Sequence, residues 1–133
     1  LASPLAADIY GLNTVASGIE DMNNNTTRFL VMAKNSVYAP ISEKLVITSI
    51  VFQVRNLPAA LYKALGGFAT NDVSLSKLES FSDQSSFEQY LFLCDIVGHI
   101  EDPKIQKSLE ELGFHTISLE ILGVYKASAF RNL

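Results

Sequence analysis

Asn25-Thr26-Thr27-Arg28-Phe29 places an amide, hydroxyls and a guanidinium within one short stretch. A guanidinium grips a carboxylate through two parallel hydrogen bonds. A threonine hydroxyl donates a hydrogen bond to a leaving oxygen, or relays a proton toward it. Threonine is a very weak acid, so positioning and charge must carry most of any acceleration. By spacing alone the stretch is a weak signal and reads first as a strand opening, with one polar residue, one snorkelling arginine and one core phenylalanine. Asn56-Leu57-Pro58-Ala59-Ala60-Leu61 is a second candidate. A helix that starts here leaves free N–H groups suited to a carboxylate, and its small side chains admit a ligand backbone. The plain alternative is an ordinary helix start. Cys94 reads as a small core hydrophobe. His99 and His115 share no ligand spacing with it, so no metal and no cofactor is expected.

These residues need elements to hold them. Ser3-Pro4 reads as an N-cap followed by proline at the first helical position, with Leu5, Ala6, Ile9 and Tyr10 on one face and Gly11 as the stop. Residues 13–24 are polar and turn-rich. Arg28 to Ala33 is a nearly continuous apolar run, as in a buried strand. One helix and one strand cannot close a core, so that strand needs neighbours from elsewhere, and a truncated domain is expected.

From Ile47 the pattern becomes regular. Ile50, Phe52 and Val54 alternate as a first strand. Pro58 opens a helix with Leu61, Leu65 and Phe68 on one face. Asn71-Asp72 turns the chain into a second strand at Val73 and Leu75. Leu78 falls on the opposite parity, which a bulge near Ser76-Lys77 or a strand buried on both faces would explain. Ser82 to Ser86 is a hairpin loop. Tyr90 to Val97 is apolar on both parities and therefore central, and Gly98 breaks it. Asp102-Pro103 caps a second helix carrying Ile105, Leu109 and Leu112, with Gly113 as its end. Ile117, Leu119 and Ile121 alternate in a fourth strand, and the tail has no period. Strand-helix-strand-strand-helix-strand predicts an α+β fold: a ferredoxin-like βαββαβ sandwich, both helices on one sheet face and the second strand on an edge.

Composition narrows the function classes. The 133 residues are 48% hydrophobic with a formal charge of −4 and no basic cluster. Nucleic acid and anionic membrane are disfavoured as partners. No apolar run reaches the roughly 18–20 residues of a membrane span. A single cysteine suits a reducing compartment, and a cytoplasmic location is expected.

The segment Ala2-Ser3…Ala6-Ala7…Tyr10-Gly11-Leu12…Ile19-Glu20-Asp21…Asn25-Thr26-Thr27-Arg28-Phe29 resembles the end of a prephenate dehydratase catalytic domain, spacing included. Ala59 to Ala69, Leu78-Glu79-Ser80-Phe81, Gly98-His99…Asp102 and Leu122-Gly123-Val124-Tyr125 resemble the amino-acid-sensing ACT domain that follows it, in an alphaproteobacterial-like form. The resemblance covers nearly the entire chain. It implies residues 1–36 as the C-terminal fragment of the two-lobed α/β catalytic domain, 37–46 as linker, 47–126 as ACT domain and 127–133 as tail. It implies a lyase of L-phenylalanine biosynthesis that converts prephenate to phenylpyruvate, with the fragment inactive alone.

The implied catalytic residues are Asn25, Thr27, Arg28 and Phe29, with Phe29 packing behind the site. Asn56, Leu57, Pro58, Ala59, Ala60, Leu61, Glu79 and Ser80 are implied to bind phenylalanine as allosteric effector, between the subunits of a homodimer or tetramer. Two departures stand out: Ala59-Ala60-Leu61 replaces the family's G-A-L, and Phe81-Ser82 replaces the last two residues of its E-S-R-P. Arogenate dehydratase and a free-standing ACT sensor are the alternatives. A pure sensor has no use for Thr27-Arg28-Phe29, and aromatic amino-acid hydroxylases lack that upstream segment.

Overall fold

A computed structural model describes residues 1–22, 27–35, 37–82 and 90–131. It divides into two compact units, Leu1–Ala33 and Lys34–Leu133.

Among its described residues the first unit holds one regular element, α1 (Pro4–Tyr10). Ser3 caps it as its type dictates: its Oγ accepts the Ala6 N–H at 3.2 Å, and Gly11 closes the other end at φ 61°. The strand expected over Arg28 to Ala33 is not formed. Residues 27–33 have no regular structure, and Phe29, Leu30, Val31 and Met32 are exposed. An apolar run becomes a strand only when a neighbour takes up its N–H and C=O groups. The unit has no strand among its described residues.

The second unit is the βαββαβ fold. Its elements are β1 (Val46–Val54), α2 (Ala60–Thr70), β2 (Leu75–Ser82), β3 (Tyr90–Val97), α3 (Pro103–His115) and β4 (Thr116–Lys126). The four strands pair antiparallel in the order β2-β3-β1-β4, so β2 lies on an edge as expected, and β3 is central. The parity break at Leu78 is a bulge: Leu75 pairs Ile96 while Lys77 pairs Asp95, leaving Ser76 extra. The core lies between one sheet face and both helices. Ile50, Phe52, Phe92, Cys94 and Ile96 meet Ala64, Phe68, Ile105 and Leu112 there. Phe52 and Phe92 stack with ring centroids 5.4 Å apart.

Several boundaries move from where the pattern put them. Pro58 does not open α2. The helix begins two residues later, because the chain first makes a tight turn in which Ala59 takes the left-handed conformation, φ 60° and ψ 24°. Gly113 does not end α3, which runs on to His115 and passes directly into β4. With no left-handed turn there, glycine is not needed as a stop. Ile117 is exposed rather than in the core, because a register shift at Gln53/Val54 leaves it unpaired in β4.

Two glycines are required. Gly98 sits at φ 133°, and a Cβ there would lie 2.6 Å from Ile105 Cδ1. Gly67 lets α2 and α3 touch. Its Cβ would lie 2.8 Å from Glu111 Cβ, and its carbonyl accepts from Ser108 Oγ at 3.1 Å and Asn71 Nδ2 at 2.7 Å.

The segment before β1 is stitched to the sheet. Ala39 N–H donates to the Val124 carbonyl at 2.8 Å, and the Ala127 N–H donates to the Leu45 carbonyl at 2.9 Å. His99 holds the same segment: its Nδ1 accepts the Glu101 N–H at 3.1 Å, so Nε2 carries the proton and donates to the Ala39 carbonyl at 2.8 Å. Asp102 caps α3 through the Lys104 N–H at 2.9 Å. The Gly98-His99…Asp102 pattern is thus a strand break, a clasp and a helix cap.

Candidate functional site

The turn from β1 into α2 builds a cavity. After Val54 the Leu57 N–H donates back to the Arg55 carbonyl at 2.8 Å, and the Ala60 N–H to the Leu57 carbonyl at 3.1 Å. The N-cap residue is Ala59, which has no side-chain acceptor to offer. The N–H groups of Leu61 and Tyr62 consequently find no partner among the described residues. They open beside a cavity of about 280 Å³ lined by Val54, Arg55, Asn56, Leu57, Ala59, Ala60, Leu61, Tyr62 and Tyr90. A second cavity of about 230 Å³ shares Arg55, Leu57 and Ala60 with the first and is also lined by Lys63, Phe114 and His115. Among the described residues no carboxylate lines either one.

Five of the six residues from Asn56 to Leu61 line the first cavity, and Pro58 does not. Glu79 and Ser80 line neither cavity within one chain. They point to opposite sheet faces, Glu79 pairing Leu93 and Ser80 pairing Phe92. Glu79 Oε2 meets Lys77 Nζ at 3.0 Å, half-exposed. Arg55, Tyr62 and Tyr90 were not legible as site residues. Tyr62 is the next residue after the expected stretch, and Tyr90 arrives only because β3 begins there.

The first unit carries the other candidates. Asn25 lies outside the described residues, and Thr27, Arg28 and Phe29 are all exposed. Arg28 does make an interaction with another residue.

A further cluster was invisible in the sequence. On the sheet face away from the helices, Asp95 is 2% exposed in the middle of β3. Its carboxylate accepts from Ser49 Oγ and from Arg131 Nη2, the latter at 2.9 Å, and Ser49 Oγ also meets Tyr125 OH at 2.8 Å. Arg131 comes from the tail, which folds over this face behind buried Ala127. Arg131 Nη1 is buried without a hydrogen bond among the described residues. The cluster joins strands β1, β3 and β4 to the tail and lines neither of these two cavities, which fits a structural role. Cys94, opposite, has its thiol pKa pushed up to about 12, chiefly by burial and then by the Asp95 charge. It is no nucleophile at neutral pH. Among the described residues no group of side chains has the makings of a metal site.

Fold and cavity define the second unit as a ferredoxin-like α+β sandwich with a small-molecule-sized cleft at the start of its first helix. The sequence profile of the prephenate dehydratase family matches residues 1–37. A protein from Komagataeibacter europaeus named bifunctional N-acyl-homoserine lactone acylase/prephenate dehydratase is 44% identical over 132 residues, 99% of this chain and 47% of that protein. The bifunctional chorismate mutase/prephenate dehydratase of Aquifex aeolicus is 42% identical over 125 residues, 94% of this chain and 34% of that protein. Among solved structures, one described as GqqA, a novel type of quorum quenching acylase, is similar at TM-score 0.68 and 43% identity, over 74% of this chain and 50% of that one. The prephenate dehydratase of Arthrobacter aurescens in complex with L-Phe matches at TM-score 0.56 and 29% identity, over 62% of this chain and 27% of that one. Along nearly its whole length the chain is therefore related to the prephenate dehydratases. It spans about half the length, or less, of the curated relatives it matches.

Proposed function

We propose that this chain is part of a prephenate dehydratase, joining the end of a catalytic domain (residues 1–36) through a linker (37–46) to an ACT sensing domain (47–126) and a tail (127–133). The observation that carries the reading is the family match over residues 1–37, which includes Thr27-Arg28-Phe29, in a chain whose relatives match it almost throughout. Prephenate is a dianion that loses CO2 and its ring hydroxyl while the ring becomes aromatic. The hydroxyl takes up a proton and leaves as water, and the electron pair of the broken C–CO2 bond completes the ring of phenylpyruvate. In this scheme Arg28 holds a substrate carboxylate through two hydrogen bonds. Thr27 donates to the leaving hydroxyl, Asn25 orients the pair, and Phe29 packs behind them.

L-Phenylalanine is the proposed effector, with its carboxylate at the start of α2 in the Asn56–Leu61 turn and Glu79-Ser80 of a second copy completing the site. The cleft in this chain and the relative solved with L-Phe support it. Pairing of the β2 edges would give the homodimer, and the compartment is the cytoplasm.

The test is phenylpyruvate formation from prephenate by the polypeptide that carries this chain. Thr27→Ala should lower turnover by about a hundredfold or more, with the thermal midpoint unchanged. Unchanged turnover would remove Thr27 from the mechanism. Arogenate, supplied in place of prephenate, tests the other dehydratase named among the relatives.

A second reading comes from the 44%-identical relative and the 43%-identical structure, both described as acylases. There, water would cleave the amide of an N-acyl-homoserine lactone to a fatty acid and homoserine lactone. Release of free homoserine lactone in the same preparation supports it, and none at high enzyme concentration refutes it.

A further inference from the structure

We infer that Arg55 is the residue that recognises the ligand's carboxylate in the cleft at the start of α2. The inference rests on the reading that this cleft takes an amino acid, and it adds a side chain that the family motifs do not mark.

Arg55 directly follows β1 and lines both cavities. Lys77, Lys104, Lys126 and Arg131 each sit within 4 Å of a carboxylate, at 3.0, 3.5, 3.2 and 2.9 Å. Arg55 makes no such ion pair among the described residues, and its side chain holds no other hydrogen bond there. Beside it the Leu61 and Tyr62 N–H groups are unpaired, since Ala59 brings no capping side chain. A guanidinium and two backbone donors thus border one cleft with no acidic group among the described residues of its lining. Such a donor set suits a single carboxylate, with the forked guanidinium taking both oxygens and the N–H groups adding a second layer.

The rest of the lining selects the body of the ligand. Val54, Leu57 and Leu61 are apolar, and the Tyr62 and Tyr90 rings offer flat faces. A cleft of about 280 Å³ is close to the smallest that hold drug-sized molecules. The chemistry fits a free amino acid with an apolar side chain. An inorganic anion would engage the same donors without the apolar wall.

The experiment is titration calorimetry on the whole chain with three probes: L-phenylalanine, L-phenylalanine amide and inorganic phosphate. The wild type should bind phenylalanine, with the amide weaker. Arg55→Gln should weaken phenylalanine by roughly ten- to a hundredfold, and Arg55→Lys by less, since it keeps the charge but loses the fork. The weaker amide affinity should not change further in Arg55→Gln. Thermal midpoints of both variants check that the fold is intact.

Phenylalanine binding untouched by Arg55→Gln overturns the assignment and leaves the sensing cleft standing. Equal losses for phenylalanine and amide also overturn it, since Arg55 would then be shaping the cleft. Phosphate binding as tightly as phenylalanine overturns the amino-acid specificity. No phenylalanine binding by wild type at millimolar concentration brings down both this inference and the reading beneath it.

Discussion

Replacing Arg131 by methionine tests what the tail does for the sheet. Asp95 is 2% exposed and takes hydrogen bonds from Ser49 and from Arg131 Nη2 at 2.9 Å. Methionine keeps much of the arginine's stem packing but removes the cation. Breaking a fully buried pair from one side costs about 3–5 kcal/mol, because the remaining charge stays out of water. Arg131 is itself 19% exposed, so water can partly replace it, and about 2–3 kcal/mol is the expected loss. Across a unit of this size that lowers the thermal midpoint by roughly 10–20 °C. The double variant Asp95→Asn with Arg131→Met removes both charges and should recover about half of the loss or more.

Urea unfolding followed by circular dichroism and tyrosine fluorescence measures both, the chain having no tryptophan. Raising the salt should change the wild-type value little, since a buried pair is poorly screened. An Arg131→Met variant within about 0.5 kcal/mol of wild type, the range of ordinary surface changes, would refute the reasoning. A double variant as unstable as Arg131→Met alone would refute it equally.

Three further outcomes follow from the packing. The Cys94 thiol, raised from 9.0 to about 12, keeps its proton in the fold while the unfolded chain ionises near 9. Its contribution is therefore complete below about pH 9 and is lost as the pH rises toward 12; Cys94→Ala should flatten that alkaline decline in urea titrations, and native Cys94 should resist thiol reagents at pH 8. Gly66 and Gly67 are adjacent in α2 but should respond with opposite sign. Gly66→Ala meets open space and should stabilise by about 0.5–1 kcal/mol. Gly67→Ala drives a Cβ to 2.8 Å from Glu111 Cβ and should destabilise by about 1–3 kcal/mol, as chemical denaturation would show. Ala59→Gly relieves a left-handed alanine at φ 60° and should raise stability by about 1 kcal/mol; a lower thermal midpoint would contradict the turn geometry.

The sequence by itself determined the second unit's element order, the edge position of β2 and the caps at Ser3 and Asp102, and it marked the parity break at Leu78 that the pairing resolved as a bulge. Each of these is a local rule: alternation, a parity break, or a side chain that reaches its own helix start. The Asn56–Leu61 stretch was legible for the same reason, since a helix start advertises itself in sequence. Tertiary structure alone decided the rest. Tyr90 joins the cleft because β3 begins beside a turn more than thirty positions away.

Asp95 hides in an apolar run because its partners Ser49 and Arg131, and Tyr125 bound to Ser49, come from other strands and the tail, and no spacing relates them. The start of α2 moved past Pro58 because residue 59 turned left-handed, a choice the surrounding turn imposes against alanine's own preference. Arg28 to Ala33 shows the limit most directly. Its residue types ask for a strand, but a strand is a relation between segments, and the first unit has no strand among its described residues.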